Sequence, residues 1–185
     1  MKIAREAFAA ITGTLLQWYD FSLFGFLAPI IAKTYFGVHN AFIALLSTFA
    51  VFAVGYLMAP MGAVFFGALG DKRGRKFALT WSVMLMTVPT FAIAFLPGYQ
   101  TIGVWAPLLL IVCRLIQGFV ASAEFAGSAI FMVEHAPANR RCFYSSLTSS
   151  SYSIGMMLGA LACSWLTVSS LPSWSWRIAF ALSGF

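Results

Sequence analysis

The chain has 185 residues, of which 61% are hydrophobic and only 9% charged, with a net charge of +6. So much apolar surface cannot be hidden in one small core, so the composition excludes a soluble domain and calls for lipid around the chain. The three cysteines, Cys113, Cys142 and Cys163, are scattered without CxxC or Cys/His spacing; they read as small packing residues, with no metal or disulfide framework.

The first apolar run, about 7–32, is expected to be a membrane helix interrupted only by Asp20. Lys2 and Arg5 ahead of it resemble a secretory signal, but the run outlasts a signal and closes without a small-x-small cleavage context. The second span is expected at about 41–70. In it Gly55, Ala59, Ala63 and Gly67 recur every fourth position, which lets another backbone come close, and Pro60 is expected to bend it. The third span covers about 77–96, before Pro97 and Gly98. The fourth covers about 106–132 and is interrupted by Arg114 and Glu124. The fifth, about 143–168, opens Ser/Thr-rich and carries Gly155 and Gly159 as a close-packing pair. A sixth begins at Trp176 and Arg177 and covers about 176–185. At 1.5 Å per residue it reaches about 15 Å, half of a ~30 Å bilayer core, so the chain reads as truncated there. Residues 1–185 are thus one transmembrane domain of five full helices and a partial sixth.

Charge gives the orientation. Lys2, Arg5, Lys72, Arg73, Arg75, Lys76, Arg140 and Arg141 fall at one face of this scheme, and only Lys33 and Arg177 at the other. The positive-inside rule puts the N-terminus in the cytoplasm. His39 and His135 are expected in loops, solvated.

Residues 67–76 are the densest charged stretch, between two runs, 34–70 and 77–113, that hold no charged residue. They read as a short basic turn between spans two and three, in which Gly70 and Gly74 permit a tight reversal. The basic run is too short, and too tightly held between two spans, to be a nucleic-acid element. Continued to Leu79, the stretch fills every position of Gly-x-Leu-Gly-Asp-[Lys/Arg]-x-Gly-Arg-[Lys/Arg]-x-x-Leu. That pattern resembles the loop signature between the second and third helices of the major facilitator superfamily.

Further stretches narrow the resemblance. Gln17-Trp18-Tyr19-Asp20-Phe21 is similar to the opening of the metabolite–proton symporter family. Arg114, Gln117, Gly118 and Glu124, then Glu134 to Pro137, then Arg140 and Arg141, are similar to its fourth helix and following loop. Departures include Gln17 where Glu is common and Ala59 where Arg often precedes the Pro. The resemblance implies the first of two six-helix halves of a proton-driven carrier of small carboxylates or zwitterions, of the proline and betaine, α-ketoglutarate, citrate or shikimate type. It also implies a gating loop of Gly67, Gly70, Asp71, Arg73, Gly74, Arg75 and Lys76. In such a loop Asp71 holds to the other half, Gly67 permits close helix contact and Arg75 anchors the turn. Glu134, Arg140 and Arg141 are interfacial, suited to a gate or to topology.

Independently of any family, ionisable residues inside spans are candidates for function. Gly13, Gln17, Asp20 and Phe24 share one helical stripe, and Arg114, Gln117, Ala121, Glu124 and Ser128 share another. Antiparallel packing puts Asp20 and Arg114 at similar depth, as a proton-coupling pair or as a structural ion pair. Gln17, Tyr19, Arg114, Gln117 and Glu124 are expected to line a substrate cavity. Lipid favours the neutral acid at Asp20 and a neighbouring guanidinium favours the carboxylate, so proton retention would depend on their separation.

The fold expected is an all-α polytopic membrane bundle, the N-terminal half of a major facilitator fold, in the cell inner membrane. The function expected is proton-coupled symport. The alternatives are a truncated membrane protein without transport, or a sugar-porter-like symporter. No GxxxxGK[ST], GxGxxG or HExxH pattern points to an enzyme. The partners expected are lipid, a small solute, the proton and a second half if it is encoded separately; no cofactor and no nucleic acid enter.

Overall fold

The computed structural model describes residues 2–37, 40–167, 172 and 174–183, with side chains except at positions 2–10, 135 and 138. His39 and the far ends of the expected fifth and sixth spans, at 168 and at 184–185, lie outside the described residues. Among the described residues there are helices and no strand.

The first span is two helices, not one. Helix α1 (Lys2–Phe26) and α2 (Ala28–Tyr35) meet at Leu27 with a bend of 68°. Pro29, near the start of α2, has no N–H for the Gly25 carbonyl, and the helix breaks there. The second span is interrupted more mildly: α3 (Ala41–Leu57) and α4 (Ala59–Arg73) are separated by the single residue Met58, whose backbone stays right-handed helical, with Pro60 near the start of α4. Asn40 caps α3, its side-chain oxygen accepting from the N–H groups of Phe42 at 2.9 Å and Ile43 at 3.4 Å.

Helix α5 (Arg75–Phe95) carries Pro89 inside it, and a short α6 (Tyr99–Ile102) follows in the connection to α7 (Trp105–His135). His135 therefore ends a helix and does not sit in a loop. A 3₁₀ turn (Ala138–Arg140) leads to α8 (Arg141–Leu166), and α9 (Trp176–Ser183) closes the described chain. The 33 residues of α3 and α4 together, α5 and α7 are long and apolar enough to span a bilayer, and the bent α1–α2 pair makes a fourth. The 26 residues of α8 would reach about 39 Å, but its Ser/Thr-rich first half makes it less apolar than the expected fifth span.

Helix α7 is the hub, packed against α1, α3, α4, α5 and α8, while α8 lies along α1. Glycines set the closest crossings. A Cβ on Gly118 would strike the Gly55 carbonyl oxygen, and one on Gly62 would strike that of Phe119. Gly155 and Gly159 press on α1 at Leu15, Tyr19 and Ser22. The four-residue stripe expected on the second span does not hold beyond Gly55. Gly67 has nothing within 4 Å of an added Cβ and Ala63 is exposed, because a fourth-residue repeat drifts about 40° per step around a helix of 3.6 residues per turn. Large apolar side chains such as Phe42, Leu57, Val64, Phe95 and Trp165 face outward. Such a surface suits lipid or another apolar segment. Cys113 and Cys163 are buried, but Cys142 is exposed and packs no core.

Candidate functional site: a buried polar cluster between three helices

Helices α1 and α7 run antiparallel, and their polar stripes meet rung by rung. Thr14 Oγ1 lies 2.9 Å from Ser128 Oγ, and Gln17 Nε2 donates to the Ala121 carbonyl at 3.0 Å. One rung further, Arg114 Nη1 donates to Asp20 Oδ2 at 3.2 Å and Gln117 Nε2 donates to the same oxygen at 3.0 Å. The same Gln117 nitrogen donates to Thr90 Oγ1 at 3.0 Å, which ties α5 into the cluster. Asp20 and Gln117 are fully buried, Thr90 is 1% exposed and Arg114 is 2% exposed.

Three aromatic rings enclose the cation. The Arg114 guanidinium carbon stands 3.7 Å from the Phe24 ring centre and 5.9 Å from those of Phe21 and Phe52. Ring faces supply part of the stabilisation that water would give a free guanidinium. The cluster is nevertheless incompletely satisfied: Asp20 Oδ1, Arg114 Nε and Nη2, and Gln117 Oε1 are buried without a hydrogen-bond partner. A buried ion pair in that condition is poor evidence for a purely stabilising role. The two carboxylate oxygens are distinguished by it, since Oδ2 takes both donors and Oδ1 takes none.

The expected cavity residues divide. Gln17, Gln117, Arg114 and Asp20 belong to one continuous α1–α7 seam. Tyr19 does not join them: it turns toward α9, where its hydroxyl donates to the Ala179 carbonyl at 3.2 Å. Glu124 is on the seam's α5 side, 3% exposed, beside Ser82, with Oε1 unpartnered. Thr90 and Ser82 were not anticipated as members of the site. They lie eight residues apart on α5, with Met86 between them, and all three are buried. Their spacing along one side of α5, in step with the buried Met86, was the signal that could have found them.

The basic stretch forms a second cluster at the end of α4. Asp71, Lys72 and Arg73 are still helical, so the turn is the single residue Gly74 at φ 92°. Gly70 has no left-handed backbone. It is a helical residue whose missing side chain lets the Arg75 side chain lie 3.2 Å from where a Cβ would be. Arg75 pairs with Asp71 at 2.7 Å and approaches Glu134 of α7 at 3.9 Å, while the Arg73 guanidinium carbon stands 5.4 Å from the Phe77 ring centre. Gly67 lines a groove beside Arg75 between α4, α5 and α7. Lys76 is in the first turn of α5, Arg140 ends the turn before α8 and Arg141 begins α8, both arginines exposed.

The pattern of the family described as Sugar (and other) transporter matches residues 6–185. The chain is 43% identical over 173 residues to the citrate–proton symporter of Klebsiella pneumoniae, covering 91% of this chain and 39% of that protein. It is 39% identical over 184 residues to the shikimate transporter of Escherichia coli, covering 97% and 42%. It is 35% identical over 186 residues to the proline/betaine transporter of Escherichia coli, covering 98% and 37%. The chain thus spans about two fifths of the length of these relatives. The xylose transporter of Escherichia coli, in a partially occluded inward-open conformation, shares the fold with a TM-score of 0.84 and 19% identity, over 98% of this chain and 45% of that one.

Proposed function

This chain belongs to the sugar (and other) transporter family of the major facilitator superfamily, a family of membrane transporters and not of enzymes, and we propose that it forms half of a proton-coupled symporter for a small carboxylate or zwitterionic metabolite. The relatives named as carriers of citrate, shikimate, and proline or betaine support that class of solute. The observation that carries the mechanism is the wholly buried Asp20–Arg114 pair with Gln117 and Thr90 around it.

In this reading Asp20 carries the proton and Arg114 controls when it leaves. With the pair closed, the guanidinium holds Asp20 as a carboxylate. Drawing the helices apart removes that support, Asp20 takes a proton, and Arg114 is free for the anionic group of a solute. Closure reverses both, which couples two fluxes to one rocking motion of two halves. The open acceptor is Oδ1, which carries no donor in the closed pair. Gln17 and Gln117 would line the solute cavity beside Arg114 once the helices part. The Asp71–Arg75–Glu134 cluster would act as the gate contact to a second half, with the N-terminus in the cytoplasm.

The test is Asp20→Asn in a complete transporter carrying this half, reconstituted in vesicles. Exchange of solute survives, while uphill uptake driven by a proton gradient disappears. Uphill uptake at the normal rate would return Asp20 to a structural role.

A further inference from the structure

Between α1, α5, α7 and α9 the bundle encloses a narrow cleft with room for about one water-sized particle. Gly13, Gln17, Thr87, Thr90, Glu124 and Ser183 line it, and apolar side chains close it. Among the described residues no Lys, Arg or His side chain reaches it. Its one amide nitrogen, Gln17 Nε2, is already engaged by the Ala121 carbonyl at 3.0 Å. The remaining polar side-chain atoms of these residues are oxygens.

Two of those oxygens have nothing to accept from. Glu124 Oε1 and Gln17 Oε1 are buried without a hydrogen-bond partner, and each belongs to a residue only 3% exposed. The Gln17–Ala121 hydrogen bond and the Thr14–Ser128 contact at 2.9 Å are successive rungs between α1 and α7. Glu124 lies between Ala121 and Ser128 on α7, so its carboxyl and the Gln17 amide share one stretch of that seam. Thr87 Oγ1 donates to the Val83 carbonyl at 2.9 Å, which leaves its lone pairs for another partner. Gly13 keeps the opposite wall open, since a Cβ there would stand 3.1 Å from the Val83 side chain.

Charge and donor type decide what fits. A carboxylate without a counter-charge is costly in this setting. A water molecule could donate to both acceptors, but it would leave that charge in place. An all-oxygen set selects a hard cation over a soft transition metal. A divalent ion would exchange one excess negative charge for one excess positive charge, whereas a monovalent ion brings the sum to zero. The cleft has no room for a hydration shell.

We propose that this cleft binds a single dehydrated alkali cation of sodium's size, held by the Glu124 carboxylate and the Gln17 amide oxygen, with the hydroxyl oxygens of Thr87, Thr90 and Ser183 around it. The ion fastens α9 to the α1–α5–α7 core. It takes no part in the Asp20–Arg114 exchange, so the site stands whether or not Asp20 carries the proton.

The experiment measures radiolabelled sodium on the purified 185-residue chain in detergent by scintillation proximity, with ionic strength held by N-methylglucamine chloride. Saturable binding of one ion per chain is expected. Glu124→Gln should weaken it at least tenfold and Thr87→Val at least threefold, while Asp20→Asn should leave it within twofold. Circular dichroism shows whether each variant keeps its helices, and Thr87→Val decides the matter if Glu124→Gln does not fold. No saturable binding would overturn the site and leave Glu124 a neutral acid. Wild-type affinity in a folded Glu124→Gln or in Thr87→Val would also overturn it. Binding lost in a folded Asp20→Asn would place the ion at the Arg114 cluster and not in the cleft.

Discussion

Arg114 shows at a single position why charge alone does not define this site. Its guanidinium lies flat enough on Phe24 to bring its carbon within 3.7 Å of the ring centre while one nitrogen reaches Asp20. A lysine would keep the charge and lose the guanidinium's contact with the ring. Arg114→Lys is therefore expected to lower stability by about 1–2 kcal/mol, the scale of a desolvated cation–π contact, measurable by unfolding in detergent. Unchanged stability would mean that the rings only border the cation. The glycines give a sharper contrast. Gly118→Ala puts a methyl against the Gly55 carbonyl, where backbone must yield, and is expected to cost about 1–3 kcal/mol. Gly67→Ala meets nothing within 4 Å and should leave stability of this half unchanged within about 0.5 kcal/mol.

Among the elements, the α4–α5 turn is the most constrained by its sequence. One residue reverses the chain, and it sits at φ 92°, a backbone region that side chains with a Cβ rarely enter. Gly74→Ala should cost about 1 kcal/mol or more, read as a lowered unfolding midpoint. The Asp71–Arg75 pair beside it is mostly solvent-facing on the Asp71 side, so its own contribution to stability is at most about 1 kcal/mol. If the cluster is a gate contact, Asp71→Ala in a complete transporter shifts the balance of access states and leaves solute affinity nearly unchanged. Lost affinity with an unaltered access balance would assign the loop to binding. The two broken spans have a different cause. Pro29 and Pro60 each remove one backbone donor, and in both places the helix resumes within two residues.

For the whole molecule, the arrangement is a bundle around α7 with apolar side chains turned outward. The cations gathered at one end predict its orientation. A reporter fused after Arg75 should give a cytoplasmic signal, and a periplasmic one would overturn the scheme.

Much of this was legible in the order of residues. Apolar run length is a local sum, so the membrane class and the succession of helices could be read without any contact. The depth of Asp20 and Arg114 followed from counting residues along two antiparallel helices, and a motif of fixed spacing carried the family. Rotation about each helix axis is not a local quantity. Tyr19 neighbours Asp20 in sequence yet turns to α9. Thr90 and Ser82 join the seam because α5 packs against α7, and Gly62 rather than Gly67 makes a close crossing because it returns, two turns after Gly55, to the face that meets α7. Those choices depend on how side chains from helices distant in sequence fill one another's gaps, and only the packed bundle decides them.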